Sequence, residues 1–245
     1  MLITVSSRKL RPILLGIMAL VVTAGVAVEV LRPIWRLKRR SGILPLLSLS
    51  YEQNVPTWYS AAILLACAAL LAVIAAGVRA RGERHVAHWC GLAAGFAYIS
   101  LDEVVSLHEA ASGWLKLSGV LYFSWVVPAA ALLLVLGVVY LRFLADLSAP
   151  FRRRFVLCGG IYVAGAVGME LPLGYWSERE GINNLGYALI DHLEEALEML
   201  GVNLFLLALL DYAGAQGFRV GFAPALGAPA PTTAPAGEGA AEPES

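Results

Sequence analysis

Two stretches decide the fold of this chain: Tyr98-Ile-Ser-Leu-Asp-Glu-Val-Val-Ser-Leu-His-Glu109 and Ile190-Asp-His-Leu-Glu-Glu-Ala-Leu-Glu-Met199. Each places several carboxyl groups in an apolar segment that is otherwise typical of a membrane-spanning helix. A charged side chain near the centre of a bilayer costs at least ~2.5 kcal/mol on insertion scales. We therefore expect the acids of the two stretches to face each other, or water, inside a helical bundle and not the lipid.

The composition excludes an ordinary soluble domain. Of the 245 residues, 59% are hydrophobic and 15% are charged, whereas soluble domains are about 25% charged. This predicts an all-α, polytopic membrane helix bundle whose partner is the lipid bilayer. The net charge of zero gives no reason to expect a nucleic-acid partner. Cys67, Cys90 and Cys158 stand singly in apolar runs and are interpreted as small buried hydrophobic residues.

The apolar segments predict about six transmembrane helices within one domain, residues 1–222, because a span needs ~20 apolar residues. The predicted spans are 13–30, 56–78, 86–109, 118–141, 155–176 and 182–210. The apolar piece 41–50 is too short to cross, so it lies in the interface or re-enters the membrane. Residues 223–245 are rich in Ala, Pro, Gly and Glu, which predicts a disordered tail.

The orientation follows from the basic residues. Bases concentrate at the N-terminus and in the connectors 79–84 and 142–154, so the positive-inside rule places both termini in the cytoplasm. The connector 32–40 does not fit this orientation, because it places five bases on the outer side. Its bases could hold anionic lipid headgroups or serve as an ordinary juxtamembrane anchor. The residues proposed for lipid binding are Arg36, Lys38, Arg39 and Arg40.

The acids are expected to meet at one level of the membrane. At ~100° per residue, Asp102 and Glu109 fall within an arc of about 60° on their helix, whereas Glu103 lies about 100° away from that face. Up-down connectivity brings them to the same half of the bilayer as Glu170 and the second stretch, toward the outer leaflet. The candidate metal ligands are Asp102, His108, Glu109, Glu170, Asp191, Glu195 and Glu198.

Three functions fit such a cluster, and whether the protein is an enzyme stays open. Asp, Glu and His are ligands of zinc, iron and manganese, which would allow hydrolysis or redox chemistry. The Glu-x-x-His pair of many bundle metal sites is missing, and only the reverse order occurs, as His192 and Glu195. Acids inside spans also relay protons in transporters. The third possibility is a buried polar network that fixes helix packing without any activity.

A small-residue pattern concerns helix contact. Gly160, Ala164 and Gly168 recur at every fourth residue. Such spacing lets membrane helices approach each other closely. It predicts that the fifth span contacts a neighbouring helix through this stripe.

Three strings carry a resemblance to a known group of proteins: Tyr51-Glu-Gln-Asn-Val-Pro-Thr-Trp-Tyr59, Ser100-Leu-Asp-Glu-Val-Val-Ser-Leu-His-Glu109 and Leu193-Glu-Glu-Ala-Leu-Glu-Met-Leu-Gly201. The chain resembles a family of uncharacterised bacterial multi-pass membrane proteins over roughly residues 45 to 212. The resemblance implies a location in the bacterial plasma membrane. It implies no particular activity.

Overall fold

The computed structural model describes residues 6–34, 42, 44–51, 53–107 and 117–218. Within these ranges the chain has no strand and forms six long helices and two short 3-10 helices. The long helices are α1 (Ser7–Ile34), α2 (Val55–Ala80), α3 (Val86–Val105), α4 (Val126–Asp146), α5 (Ala149–Glu180) and α6 (Leu185–Ala215). The 3-10 helices are Leu44–Leu46 and Gly119–Leu121. The predicted tail, 223–245, lies outside the described residues.

The all-α prediction is confirmed, and five of the described helices are long and apolar enough to cross a membrane. The helix α3 is not among those five. Whether it crosses as the predicted third span, and on which side the termini lie, stay predictions. The helices α5 and α6 extend beyond the predicted spans 155–176 and 182–210, and the bounds of those spans in the membrane stay predictions.

The helix α3 ends earlier than the predicted third span, 86–109, indicates. Ser106 has a left-handed backbone conformation with φ of 56°, and its N–H donates to the carbonyl oxygen of Asp102 at 2.7 Å. This ends α3 at Val105. The predicted alignment of Asp102 with Glu109 assumes one regular helix through Ser106, whereas α3 ends at Val105 and Glu109 lies outside the described residues.

Asparagine caps fix where two helices begin. The Oδ1 atom of Asn54 accepts the N–H of Thr57 at the start of α2, and its Nδ2 donates to the carbonyl of Ser48 at 2.7 Å. Asn184 likewise accepts the N–H of Tyr187 at the start of α6. Asparagine at this position satisfies a backbone N–H that the helix leaves without a partner. Through Asn54, the start of α2 also holds the segment that precedes it.

That segment, Leu44 to Ser50, folds back into the bundle. Ser48 and Leu49 are buried, and the Oγ of Ser48 donates to the Oε1 of Glu29 on α1 at 2.8 Å. The segment thus packs against the end of α1, and whether it lies in the interface or re-enters the membrane stays a prediction.

The helix α6 lies at the centre of the bundle, where it packs against α1, α2 and α5, while α3 packs on α2. In its most apolar stretch 61% of the residues are buried, against 11% in α4. Fully buried side chains such as Leu71, Ile74, Met199 and Leu209 form the core. The large exposed apolar surface of α4 suits contact with lipid.

Gly165 and Gly201 make the close contact between α5 and α6. A Cβ atom on Gly201 would lie 2.6 Å from the backbone nitrogen of Tyr162, and one on Gly165 would lie 2.9 Å from the carbonyl oxygen of Glu194. The predicted stripe of Gly160, Ala164 and Gly168 is exposed instead. The contact between α5 and α6 therefore does not use the predicted stripe.

The prediction for the cysteines holds for two of the three. Cys67 and Cys158 are buried, whereas Cys90 is exposed. Cys90 follows the buried Trp89 on α3, and one residue along a helix turns the side chain by ~100°. Its position in an apolar run therefore did not decide its burial.

Candidate functional site

The carboxyl groups of Glu194, Glu195 and Glu198 on α6 form the centre of an acidic cluster. Glu194 is buried and the other two are half-buried. Glu194 lies within electrostatic reach of Glu170 on α5, while Glu195 and Glu198 lie within reach of Glu103 on α3. Among the described helices, α3, α5 and α6 therefore contribute acids to one cluster.

The helix α5 contributes through an irregular turn. Residues Ala164–Met169 form a π-helix inside it, in which the backbone bonds run from i to i+5 and the helix widens. On one side of this segment Tyr162 lies beside Glu198. On the other side Glu170 is buried and accepts a hydrogen bond from the indole N–H of Trp125 at 2.9 Å. Turns of this kind occur frequently at functional sites.

In the part of the chain that the structure describes, the glutamates of α6 have mainly carboxyl groups as ionisable neighbours. The ionisable groups that act on Glu194, Glu195 and Glu198 are other carboxyl groups and the phenol of Tyr162, with no Lys or Arg among the described residues. Two like charges 4 Å apart repel by about 4 kcal/mol even at an effective dielectric constant of 20. A cation, either a proton or a metal ion, is therefore needed to neutralise the site.

The predicted metal ligands divide into two groups. Asp102, Glu170, Asp191, Glu195 and Glu198 lie in or beside the cluster. His108 and Glu109 fall outside the described residues, as do the predicted lipid-binding residues Arg36, Lys38, Arg39 and Arg40. Within the described ranges no group of three or more His, Cys, Asp or Glu side chains is already placed to hold a metal ion. The metal site stays a prediction.

Sequence reasoning ranked two acids of the cluster too low and missed one other member. The helical pattern sets Glu103 apart from the acidic face of its helix, although among the carboxyl groups it has the largest electrostatic effect on both Glu195 and Glu198. Glu194 is not among the candidate ligands, although it directly precedes Glu195. Tyr162 was missed altogether. A preference for runs of adjacent acids would have found Glu103, but nothing in the sequence marks Tyr162.

Tyr59 and Asn203 form a second buried polar pair, which holds two helices together. The hydroxyl of Tyr59 on α2 donates to the Oδ1 of Asn203 on α6 at 2.8 Å, and the Nδ2 of Asn203 donates to the carbonyl of Met199 at 2.7 Å. Both polar atoms of the fully buried Asn203 side chain are thereby satisfied. This pair fixes α2 against α6, which is the role expected of a satisfied buried network.

The opposite end of the bundle carries acids that are paired with bases. Asp146 lies 2.7 Å from the Nε2 of His85 and 3.7 Å from Arg84. Asp211 lies 2.9 Å from Arg154. The contrast identifies the acidic cluster, and not this end, as the unusual charge arrangement of the described molecule.

The fold and the cluster together define a class: an all-helical protein with apolar helices that suit a membrane and acids gathered from several helices. The chain belongs to the family described as Domain of unknown function (DUF8692), whose model matches residues 6–213. This is consistent with the resemblance to an uncharacterised family. No curated protein and no solved structure matches the chain.

Proposed function

We propose that the acidic cluster binds a divalent metal ion within the membrane and that the protein is a metal-dependent protein of the bacterial plasma membrane. The proposal rests on one observation: Glu194, Glu195 and Glu198 lie within electrostatic reach of Glu103 and Glu170, so that carboxyl groups from three helices gather at one place. Carboxylates are ligands of manganese, iron and zinc. A divalent ion neutralises two carboxylates at once.

The ligands would come from facing helices. Glu195 and Glu198 are three residues apart on α6, a spacing that puts two side chains on one helix face. Glu170 stands at the end of the π-helical turn, and Glu103 faces α6 from α3. Because no three described side chains already converge on a metal position, these carboxylates must rotate on binding, or further ligands must join them. His108 and Glu109 are the sequence candidates for that addition.

The ligand set permits two kinds of chemistry. A metal such as zinc lowers the pKa of its bound water to about 7 and so supplies a nucleophile for hydrolysis. Iron or manganese held by carboxylates in a helical bundle supports redox chemistry instead. In either case the reacting group would meet the metal in the half of the bundle that holds the cluster.

The test is elemental analysis of protein purified in mild detergent. The parent is compared with the double variant Glu195→Gln, Glu198→Gln, and with Glu180→Gln, which removes an exposed carboxylate at the end of α5. We expect close to stoichiometric manganese, iron or zinc in the parent and in Glu180→Gln, and its loss in the double variant. A parent that remains metal-free after incubation with each of the three ions would refute the metal proposal.

Proton-coupled transport is the second candidate. It is favoured by the finding that no three side chains within the described ranges already stand in a metal geometry. Its test is proton flux into vesicles containing the purified protein, with the same double variant as control. Flux in the parent that the double variant lacks, together with absence of metal from both, would support it.

A further inference from the structure

The stretch from Gly119 to Trp125 lies along one face of α5, and we call it the strap. Three positions of α5 that are four residues apart lie against it: Glu170, Gly174 and Glu178. Residues with this spacing lie above one another on one face of a helix. At 1.5 Å per residue, the strap therefore follows about 12 Å of α5, from the end of that helix to the acidic cluster.

A hydrogen bond joins each end of the strap to α5. At the end of the bundle, the exposed carboxylate of Glu178 accepts the N–H of Gly119. At the cluster, the indole N–H of Trp125 donates to the Oε1 of Glu170 at 2.9 Å. The strap is thus held by a carboxylate at the surface and by a second one inside the bundle.

Between its ends the strap lies close to α5 but buries few of its own side chains. A Cβ atom on Gly174 would lie 3.2 Å from the Cβ of Tyr122, so the missing side chain lets the two segments approach. Ser124 is buried, whereas Val120 and Tyr122 are exposed. The strap consists of a 3-10 helix and the turn that leads into α4. Segments with few buried apolar contacts open at a lower free energy than core helices do.

The strap ends on a carboxyl group of the cluster. Glu170 is buried and acts electrostatically on Glu194. Beyond the cluster, toward the opposite end of the bundle, α6 continues into the buried apolar core with Met199, Phe205 and Leu209. Moving a charge through an apolar core is costly. A cation that exchanges with the cluster is therefore expected to pass on the side of the strap.

We propose that the strap is the movable cover of the acidic cluster, which opens from α5 to let the metal ion enter or leave and then closes over Glu170. This inference rests on the proposed function, because the metal ion is what passes. Opening withdraws the indole of Trp125 and frees the Oε1 of Glu170 to bind the ion. It also supplies the rotation of a carboxylate that metal binding at the cluster requires.

The test locks the strap on α5 with a disulfide. Tyr122→Cys and Gly174→Cys place two Cβ atoms 3.2 Å apart, close to the distance of about 3.5–4.5 Å in a disulfide; Cys90→Ser removes the exposed native thiol. The purified full chain is loaded with Mn²⁺, Fe²⁺ or Zn²⁺, EDTA is added, and the metal still bound after desalting is measured over time. We expect release to be at least ~10-fold slower with the disulfide formed than after reduction and removal of the reductant. Cys90→Ser alone, the matched control, should release the metal at one rate under both treatments.

Equal release rates in the oxidised and reduced forms, with metal bound by both, overturn the strap as a cover and leave the proposed function standing. A parent that takes up none of the three ions refutes the proposed function and this inference with it. Should the disulfide variant fail to fold, Glu178→Ala and Glu180→Ala decide. Removing the acceptor of the Gly119 N–H should speed release by roughly 2–10-fold, whereas Glu180→Ala, which removes an exposed carboxylate two residues further on, should leave it unchanged. Equal rates in that pair overturn the proposal.

Discussion

Replacing Gly201 with alanine tests the contact that holds the acidic cluster together. The new Cβ atom would lie 2.6 Å from the backbone nitrogen of Tyr162 and 2.9 Å from its Cα. Backbone atoms of a helix cannot rotate away, so α5 and α6 must separate. Overpacking of this kind costs about 1–3 kcal/mol.

The higher helix propensity of alanine offsets part of this cost. Alanine is favoured over glycine inside a helix by ~1 kcal/mol, which leaves a net destabilisation of up to about 2 kcal/mol. For a chain of this size, 1 kcal/mol shifts the melting temperature by ~2–4 °C. We therefore expect Gly201→Ala to melt below the parent, by up to roughly 8 °C.

The assay is thermal unfolding in detergent, followed by loss of the monodisperse peak in size-exclusion chromatography. Gly214→Ala is the matched control, because it lies on the same helix with nothing within 4 Å of the added atom. It should be as stable as the parent or more stable. If Gly201→Ala melts at or above the temperature of Gly214→Ala, the close contact between α5 and α6 is refuted.

Two further measurements test the core. Tyr59→Phe removes the hydrogen bond to Asn203 and should lower the free energy of unfolding by about 0.5–1.5 kcal/mol; a double-mutant cycle with Asn203→Ala that shows no coupling would contradict this contact. A maleimide should label one thiol of the native protein in detergent, Cys90, and should reach Cys67 and Cys158 only after denaturation, because those two are buried. Mass spectrometry of the labelled peptides checks this, and early labelling of Cys67 would argue against its place in the core.

The helices themselves were predictable from the sequence because burial in lipid or core imposes long apolar runs. The segments around Ile13, Leu64 and Leu206 are of this kind, and each lies in a long helix of the structure. The ends were less predictable. Ser106 stops α3 by adopting a left-handed conformation, and a serine gives no signal for it, since such conformations favour glycine.

The cluster was predictable only in part. Helical periodicity places Glu195 and Glu198 near one face of α6, because the helix itself sets the spacing and the direction of its side chains. The approach of Glu103 depends on how α3 is rotated about its own axis, which is set by packing against α2 and not by the local sequence. The approach of Tyr162 to Glu198 depends on how α5 packs against α6, and the orientation of Glu170 depends on the π-helical turn that precedes it.

The π-helical segment Ala164–Met169 makes the cluster dependent on the length of the chain as well as on its chemistry. Such a segment amounts to one residue inserted into an α-helix. Deleting one residue there, without touching any acid, would restore a regular helix and turn everything that follows by ~100°. Glu170 would rotate away from Trp125 and α6, while Tyr162 would keep its place. The inserted residue in α5 is therefore as important for the geometry of the cluster as the carboxylates themselves are.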